Sequence, residues 1–74
     1  MKKNPVLIAL GKNVSALRSQ KYLTQEQLAE LSGLDPSYIS GIERGVRNPS
    51  VLSLTRLANG FETSVSVICT GIGK

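Results

Sequence analysis

Apolar residues recur at Leu7, Leu10, Val14 and Leu17, with Val6 beside them, the three-and-four spacing of one helical face. Asn4 suits an N-cap and Pro5 the first helical position, so the first helix is predicted from Pro5 to about Gln20. Thr24-Gln25-Glu26-Gln27 has the form of a capping box, with Leu23 and Leu28 placed for a hydrophobic staple. Gly33 suits a left-handed stop, so the second helix spans only Gln25 to Ser32. Asp35 and Pro36 restart the chain at once. Ile39 and Ile42 then form a narrow apolar stripe, with Ser37, Ser40, Gly41 and Arg44 off it, and Gly45 ends the third helix. Val51, Leu54, Leu57, Ala58 and Phe61 carry a fourth helix from near Ser50 to about Asn59 or Gly60. The tail Thr63 to Cys69 alternates like a strand, but a lone strand among helices has no partner. A short fifth helix capped by Ser64 is therefore preferred.

Two short helices joined through a glycine form a helix-turn-helix pattern. Counted from Gln25, Leu28 and Ala29 take the fourth and fifth positions, Gly33 and Leu34 the ninth and tenth, and Ile39 and Ile42 the fifteenth and eighteenth. Ala29 must be small because the helices approach closely there. Gly33 permits a positive φ in the turn. Leu28, Leu34, Ile39 and Ile42 set the crossing angle by filling the space between the first three helices.

Composition narrows the function. A chain of 74 residues, read as one domain over 1–74, buries one small core and has no room for a catalytic domain beside a binding domain. No apolar run approaches the roughly 20 residues of a membrane span, and no secretory signal follows the basic start, so no membrane partner is expected. The single cysteine, Cys69, cannot form an internal disulfide and points to a reducing cytoplasm. It reads as a buried small apolar residue. With no histidine and only five acidic residues, no catalytic constellation or metal site is expected, nor any cofactor or small-molecule ligand. The net charge of +4 is segregated. Residues 1–23 carry +5, residues 24–43 carry −4 and residues 44–56 carry +3. A small basic chain suits a polyanion such as nucleic acid.

Leu23-Thr24-Gln25-Glu26-Gln27-Leu28-Ala29, then Tyr38-Ile39-Ser40-Gly41-Ile42-Glu43-Arg44-Gly45, then Arg47-Asn48-Pro49-Ser50 resemble the XRE family of phage-repressor/Cro-like DNA-binding domains. The resemblance runs from about Gly11 to Ile68. It implies an all-α, five-helix lambda-repressor-like domain, whose third helix enters the major groove of double-stranded DNA. The stretch from Tyr38 to Arg44 is most like the controller proteins of restriction–modification systems, which implies a homodimeric transcriptional regulator on a palindromic operator, without enzymatic activity. A phage Cro-like repressor and an antitoxin-type protein-interaction module are the alternatives.

The resemblance also implies roles. Gln25 contacts a phosphate and braces the recognition helix. Ser37, Ser40 and Gly41 meet base edges, Gly41 by admitting a thymine methyl. Tyr38 either reaches a phosphate or thymine methyl or packs against the loop between the third and fourth helices. Arg44 and Arg47 contact phosphates, and Arg47 is also long enough to reach a base edge. Lys2, Lys3, Lys12 and Lys21 add only diffuse field. Arg18 and Glu43 form a structural salt bridge between the first and third helices. Val65, Val67 and Ile68 either form a homodimer interface with the fourth helix or close the core. The chain departs from the family at Tyr22, where glycine is usual. It is expected there to adopt positive φ or to end the first helix by another route. Leu31, at a usually polar position, is expected to be half exposed.

Overall fold

A computed structural model describes residues 4–73. Five helices follow in order: α1 (Pro5–Gln20), α2 (Gln25–Ser32), α3 (Pro36–Glu43), α4 (Val51–Phe61) and α5 (Val65–Ile68). No strand occurs among the described residues. Each helix begins on a polar cap: Asn4, Thr24, Asp35, Ser50 and Ser64 each accept backbone N–H bonds through a side-chain oxygen. The capping box of α2 closes in both directions, Gln27 N–H to Thr24 Oγ1 at 3.0 Å and Thr24 N–H to Gln27 Oε1 at 2.8 Å. These bonds satisfy donors that a helix start leaves unpaired. That is why the predicted starts hold.

Three of the helix ends share one device. In α1, the Leu23 N–H bonds the Arg18 carbonyl and the Tyr22 N–H bonds that of Ser19, both at 3.1 Å. In α3, Val46 bonds Gly41 and Gly45 bonds Ile42, both at 3.0 Å. In α4, Thr63 bonds Ala58 at 2.9 Å and Glu62 bonds Asn59 at 3.1 Å. These are Schellman closures, and each requires a left-handed residue. Gly45 supplies it at φ 76°, whereas Tyr22 and Glu62 adopt φ 56° without being glycine. Tyr22 thus takes the conformation expected of it.

The fourth helix outruns its expected end. Gly60 lies inside α4, and an added Cβ there would stand 3.3 Å from the Ser32 nitrogen of α2. This glycine permits close packing of two helices, and termination falls to Glu62.

Leu10, Val14, Leu28, Ala29, Ile39, Ile42, Leu57, Ala58, Phe61 and Ile68 form one buried cluster drawn from all five helices. α2 packs chiefly on α4, and α1 on α3. Leu31 is 57% exposed, in line with expectation. The tail folds as one helical turn because its carbonyls find a donor elsewhere. Asn13 of α1 donates through Nδ2 to the carbonyls of Ile68 at 2.8 Å and Thr70 at 2.9 Å. Ile68, one of three expected interface residues, is instead fully buried in its own core. Val65 is half-buried against that core, which leaves Val67, 42% exposed, as the one of the three with substantial apolar surface to offer. Cys69 is half-buried rather than buried.

Two substitutions should act against ordinary expectation. Tyr22 is 94% exposed, so Tyr22→Gly loses no packing and relieves a left-handed non-glycine. It should raise unfolding stability by about 1 kcal/mol. Alanine for glycine inside a helix normally stabilises by a similar amount. At Gly11, however, the new methyl carbon would stand 2.5 and 2.6 Å from the carbonyl oxygens of Ile42 and Glu43. Gly11→Ala should therefore destabilise by about 1–3 kcal/mol. Urea unfolding of both variants checks the two signs together.

Candidate nucleic-acid interface

The unit from α2 through Gly33 to α3 is locked from beneath by Leu28, Ala29, Ile39 and Ile42, all buried, with Leu34 packed against them. Gly33 makes the turn at φ 73°, its N–H bonding the Ala29 carbonyl at 2.8 Å. With Ile39 and Ile42 inward, Ser37, Ser40 and Arg44 fall on the outward arc of α3.

A polar network fixes α3 against its neighbours. Arg18 of α1 engages Glu43 with two donors, Nε to Oε2 at 2.7 Å and Nη2 to Oε1 at 3.1 Å. Its remaining Nη1 donates to the Leu23 carbonyl in the turn before α2, at 2.8 Å. Gln25, at the start of α2, donates Nε2 to Glu43 Oε1 at 3.1 Å. The expected salt bridge is thus present, and the Glu43 side chain is 8% exposed against 20% for Arg18. The hydrogen bond to Glu43 raises the Arg18 pKa above its ordinary value, with burial opposing it. Gln25 performs the bracing part of its expected role through Glu43. Gly11, overlooked in the sequence, lets α1 approach the carbonyls of Ile42 and Glu43 directly. Its signal was a glycine between Leu10 and Val14 on a buried stripe.

The two serines expected to read bases differ in what they have left to offer. Ser37 donates its hydroxyl to Asp35 Oδ1 at 2.6 Å, while its N–H bonds the same oxygen at 2.8 Å. The Ser37 hydroxyl hydrogen is therefore spent, and only its lone pairs face outward. They match the amino groups of adenine or cytosine. Ser40 accepts from Arg44 Nε at 3.4 Å and keeps its hydrogen for an acceptor. Ser37 is exposed and Ser40 half-buried.

Tyr38 shows one of its two expected placements, and the reading of Gly41 needs correction. Tyr38 donates its phenol to Ser53 Oγ of α4 at 3.3 Å, and the residue packs on the core. Of its two possible roles, the structure gives it the packing one, beneath the start of α4. Gly41 is buried rather than open to a thymine methyl. The three atoms nearest to an added Cβ all belong to Arg47, whose stem lies across it. Arg44, Arg47, Lys12 and Lys21 are exposed, while Lys2 and Lys3 lie outside the described residues. Among the described residues, no group of metal-ligating side chains gathers, and no helix is long and apolar enough to cross a membrane.

Comparison with known proteins places the chain in a family. Residues 14–68 match the helix-turn-helix family. The control protein C.SmaI of Serratia marcescens is 44% identical over 64 residues, covering 86% of this chain and 76% of that protein. The restriction–modification controller protein C.AhdI from Aeromonas hydrophila superposes with a TM-score of 0.82 at 42% identity, covering 84% of this chain and 94% of that one. The controller protein C.Esp1396I, solved as a tetramer with its natural 35 base-pair operator, superposes at 0.82 with 39% identity over 89% of this chain and 87% of that one.

Two measurements test the site's internal bonds. Glu43→Ala leaves the Arg18 guanidinium short of its main partner. It should lower stability by about 3 kcal/mol, the low end for a broken buried pair because Arg18 reaches solvent. Chemical denaturation reads the loss, and an unchanged midpoint would remove the network's structural role. Asp35 gives a pH dependence. The Ser37 hydroxyl and then its amide hold the Asp35 carboxyl below its ordinary range. A group depressed on folding stabilises above its unfolded value, about 3.9, and that stabilisation is lost as pH falls through the lower folded value. Asp35→Asn should therefore flatten part of the acid limb of an unfolding-midpoint profile between about pH 5 and pH 2. A limb as steep as in the unsubstituted protein would exclude this linkage.

Proposed function

The chain belongs to the helix-turn-helix family of DNA-binding transcriptional regulators, and from that premise we propose that it is a restriction–modification controller protein, a homodimer on a palindromic operator. The observation that carries this reading is the bracing of α3. Arg18, Leu23 and Gln25 converge on or beside Glu43, so the recognition helix is held by α1 and α2 together. A helix so fixed can present small polar side chains to base edges without reorganising. C.Esp1396I, to which the chain is similar, is bound to its operator as a multimer.

Charge distribution assigns the remaining roles. The helix-turn-helix itself carries −4, so affinity for phosphates must come from flanking cations. Arg44, at the C-terminal end of α3, is the first of these and contacts the DNA backbone. Gln25 and the free amides of the α2 start add anion affinity. Ser37 and Ser40 contribute sequence reading. Dimerisation follows from coverage, because one eight-residue helix spans too few base pairs for specificity alone. A two-fold dimer would set its recognition helices one DNA turn apart, about 34 Å. Val67 and the end of α4 supply the contact. The protein acts in the cytoplasm and performs no catalysis.

Binding-site selection from random duplexes tests the reading, and a palindrome is expected. Arg44→Ala should weaken selected and random DNA alike. It should lower the salt slope by about two, one unit for each protomer of the dimer. Ser40→Ala should weaken only the selected site. Sedimentation should show a dimer at micromolar concentration. Recovery of no preferred sequence, together with tight binding to another protein, would replace this reading with that of an interaction module.

A further inference from the structure

Glycine is the poorest ordinary residue for a helix interior, yet α3 holds Gly41 two residues before its end. What occupies the missing side chain's place is Arg47. Its Cγ, Nε and Cβ are the three atoms nearest to the position a Cβ would take, the latter two at 3.4 and 3.5 Å. Arg47 is also held through its main chain. The Gly41 carbonyl accepts from both Val46 N–H at 3.0 Å and Arg47 N–H at 3.2 Å. One residue thus fixes Arg47 at its backbone and along its stem. Gly41 lies one turn beyond Ser37 and next to Ser40, at the edge of the outward arc. The Arg47 stem therefore crosses α3 beside the two reading serines, while the residue as a whole stays exposed.

We propose that Gly41 is a positioning residue. It lays Arg47 across the recognition helix, so that the guanidinium reads a base edge rather than a phosphate. Guanine is the base concerned, since its O6 and N7 match the guanidinium fork. Ordering the stem before binding lowers the entropy lost when the contact forms. Any side chain at position 41 pushes the stem aside and leaves the cation free to swing to the backbone. The inference rests on the DNA-binding reading above and adds Gly41 to the determinants of specificity.

The test compares the unsubstituted chain, Gly41→Ala, Arg47→Ala and the double variant on a selected duplex and a random one. Gly41→Ala should fold at least as stably, because only a flexible side chain must move. It should lose about tenfold in discrimination for each half-site, the size of a good bidentate base contact, with a salt slope no shallower than that of the unsubstituted protein. Sites selected by it should lose one guanine preference per half-site. Arg47→Ala should show the same loss, and the double variant no more than Arg47→Ala alone. Nuclear Overhauser contacts from the Gly41 α-protons to the Arg47 γ-protons should appear in the free unsubstituted protein. Absence of those contacts overturns the proposal without reference to DNA. Full discrimination by Gly41→Ala, or a loss that persists on the Arg47→Ala background, overturns the proposal alone. So does an Arg47→Ala variant weakened equally on both duplexes with a lower slope. Failure of the unsubstituted chain to bind any duplex removes the DNA-binding reading itself.

Discussion

Glu43 stands at the last position of α3, and three other parts of the fold converge on or beside its carboxylate. Arg18 brings α1 and, through its third donor, the Leu23 carbonyl of the turn. Gln25 brings the first residue of α2. A carboxylate this shielded needs compensation, and the bidentate arginine supplies it with two charge-assisted bonds. The geometry also depends on Gly11, because α1 lies against the very carbonyls of Ile42 and Glu43. Close approach brings Arg18 within reach, and Arg18 in turn holds the end of the recognition helix. The outward surface of α3 thus owes its shape to contacts on its inner side.

Helix starts were legible because their chemistry is local. Thr24 and Gln27 cap each other within four residues, and Asp35-Pro36 does its work within two. Arg18 and Glu43 were legible through family resemblance, not through spacing. What escaped was close approach between elements. Gly60, near the expected end of α4, is a packing site inside it, and Gly41, expected to open to the groove, is a shelf. A glycine in sequence signals that a side chain must be absent, but not what fills the place. Asn13 was unread for a similar reason. Its two acceptors lie 55 and 57 residues away, and nothing in the neighbourhood of Asn13 announces them.

The tail illustrates tertiary context overriding local preference. Val65, Val67 and Ile68 favour extended backbone, yet they form a helical turn. Ser64 caps one end through Val67 N–H, and Asn13 satisfies carbonyls at the other. Burial of Ile68 in the common core supplies the remaining drive. The same burial withdraws one residue from any surface offered to a second copy.

The placement of acidic residues has a consequence for how such a protein finds its site. Asp35, Glu26 and Glu30 are exposed on the helix-turn-helix unit, and the cations precede and follow it in the chain. If the helix-turn-helix docks as proposed, those carboxylates would face phosphates of an arbitrary duplex and subtract from the attraction the arginines provide. Dwell time on irrelevant sequence would then be shortened, while the flanking positive field would still draw the molecule in from solution. A weak hold on the wrong sequence lets the protein leave quickly and sample elsewhere, so a genome's excess of competing sites detains it less.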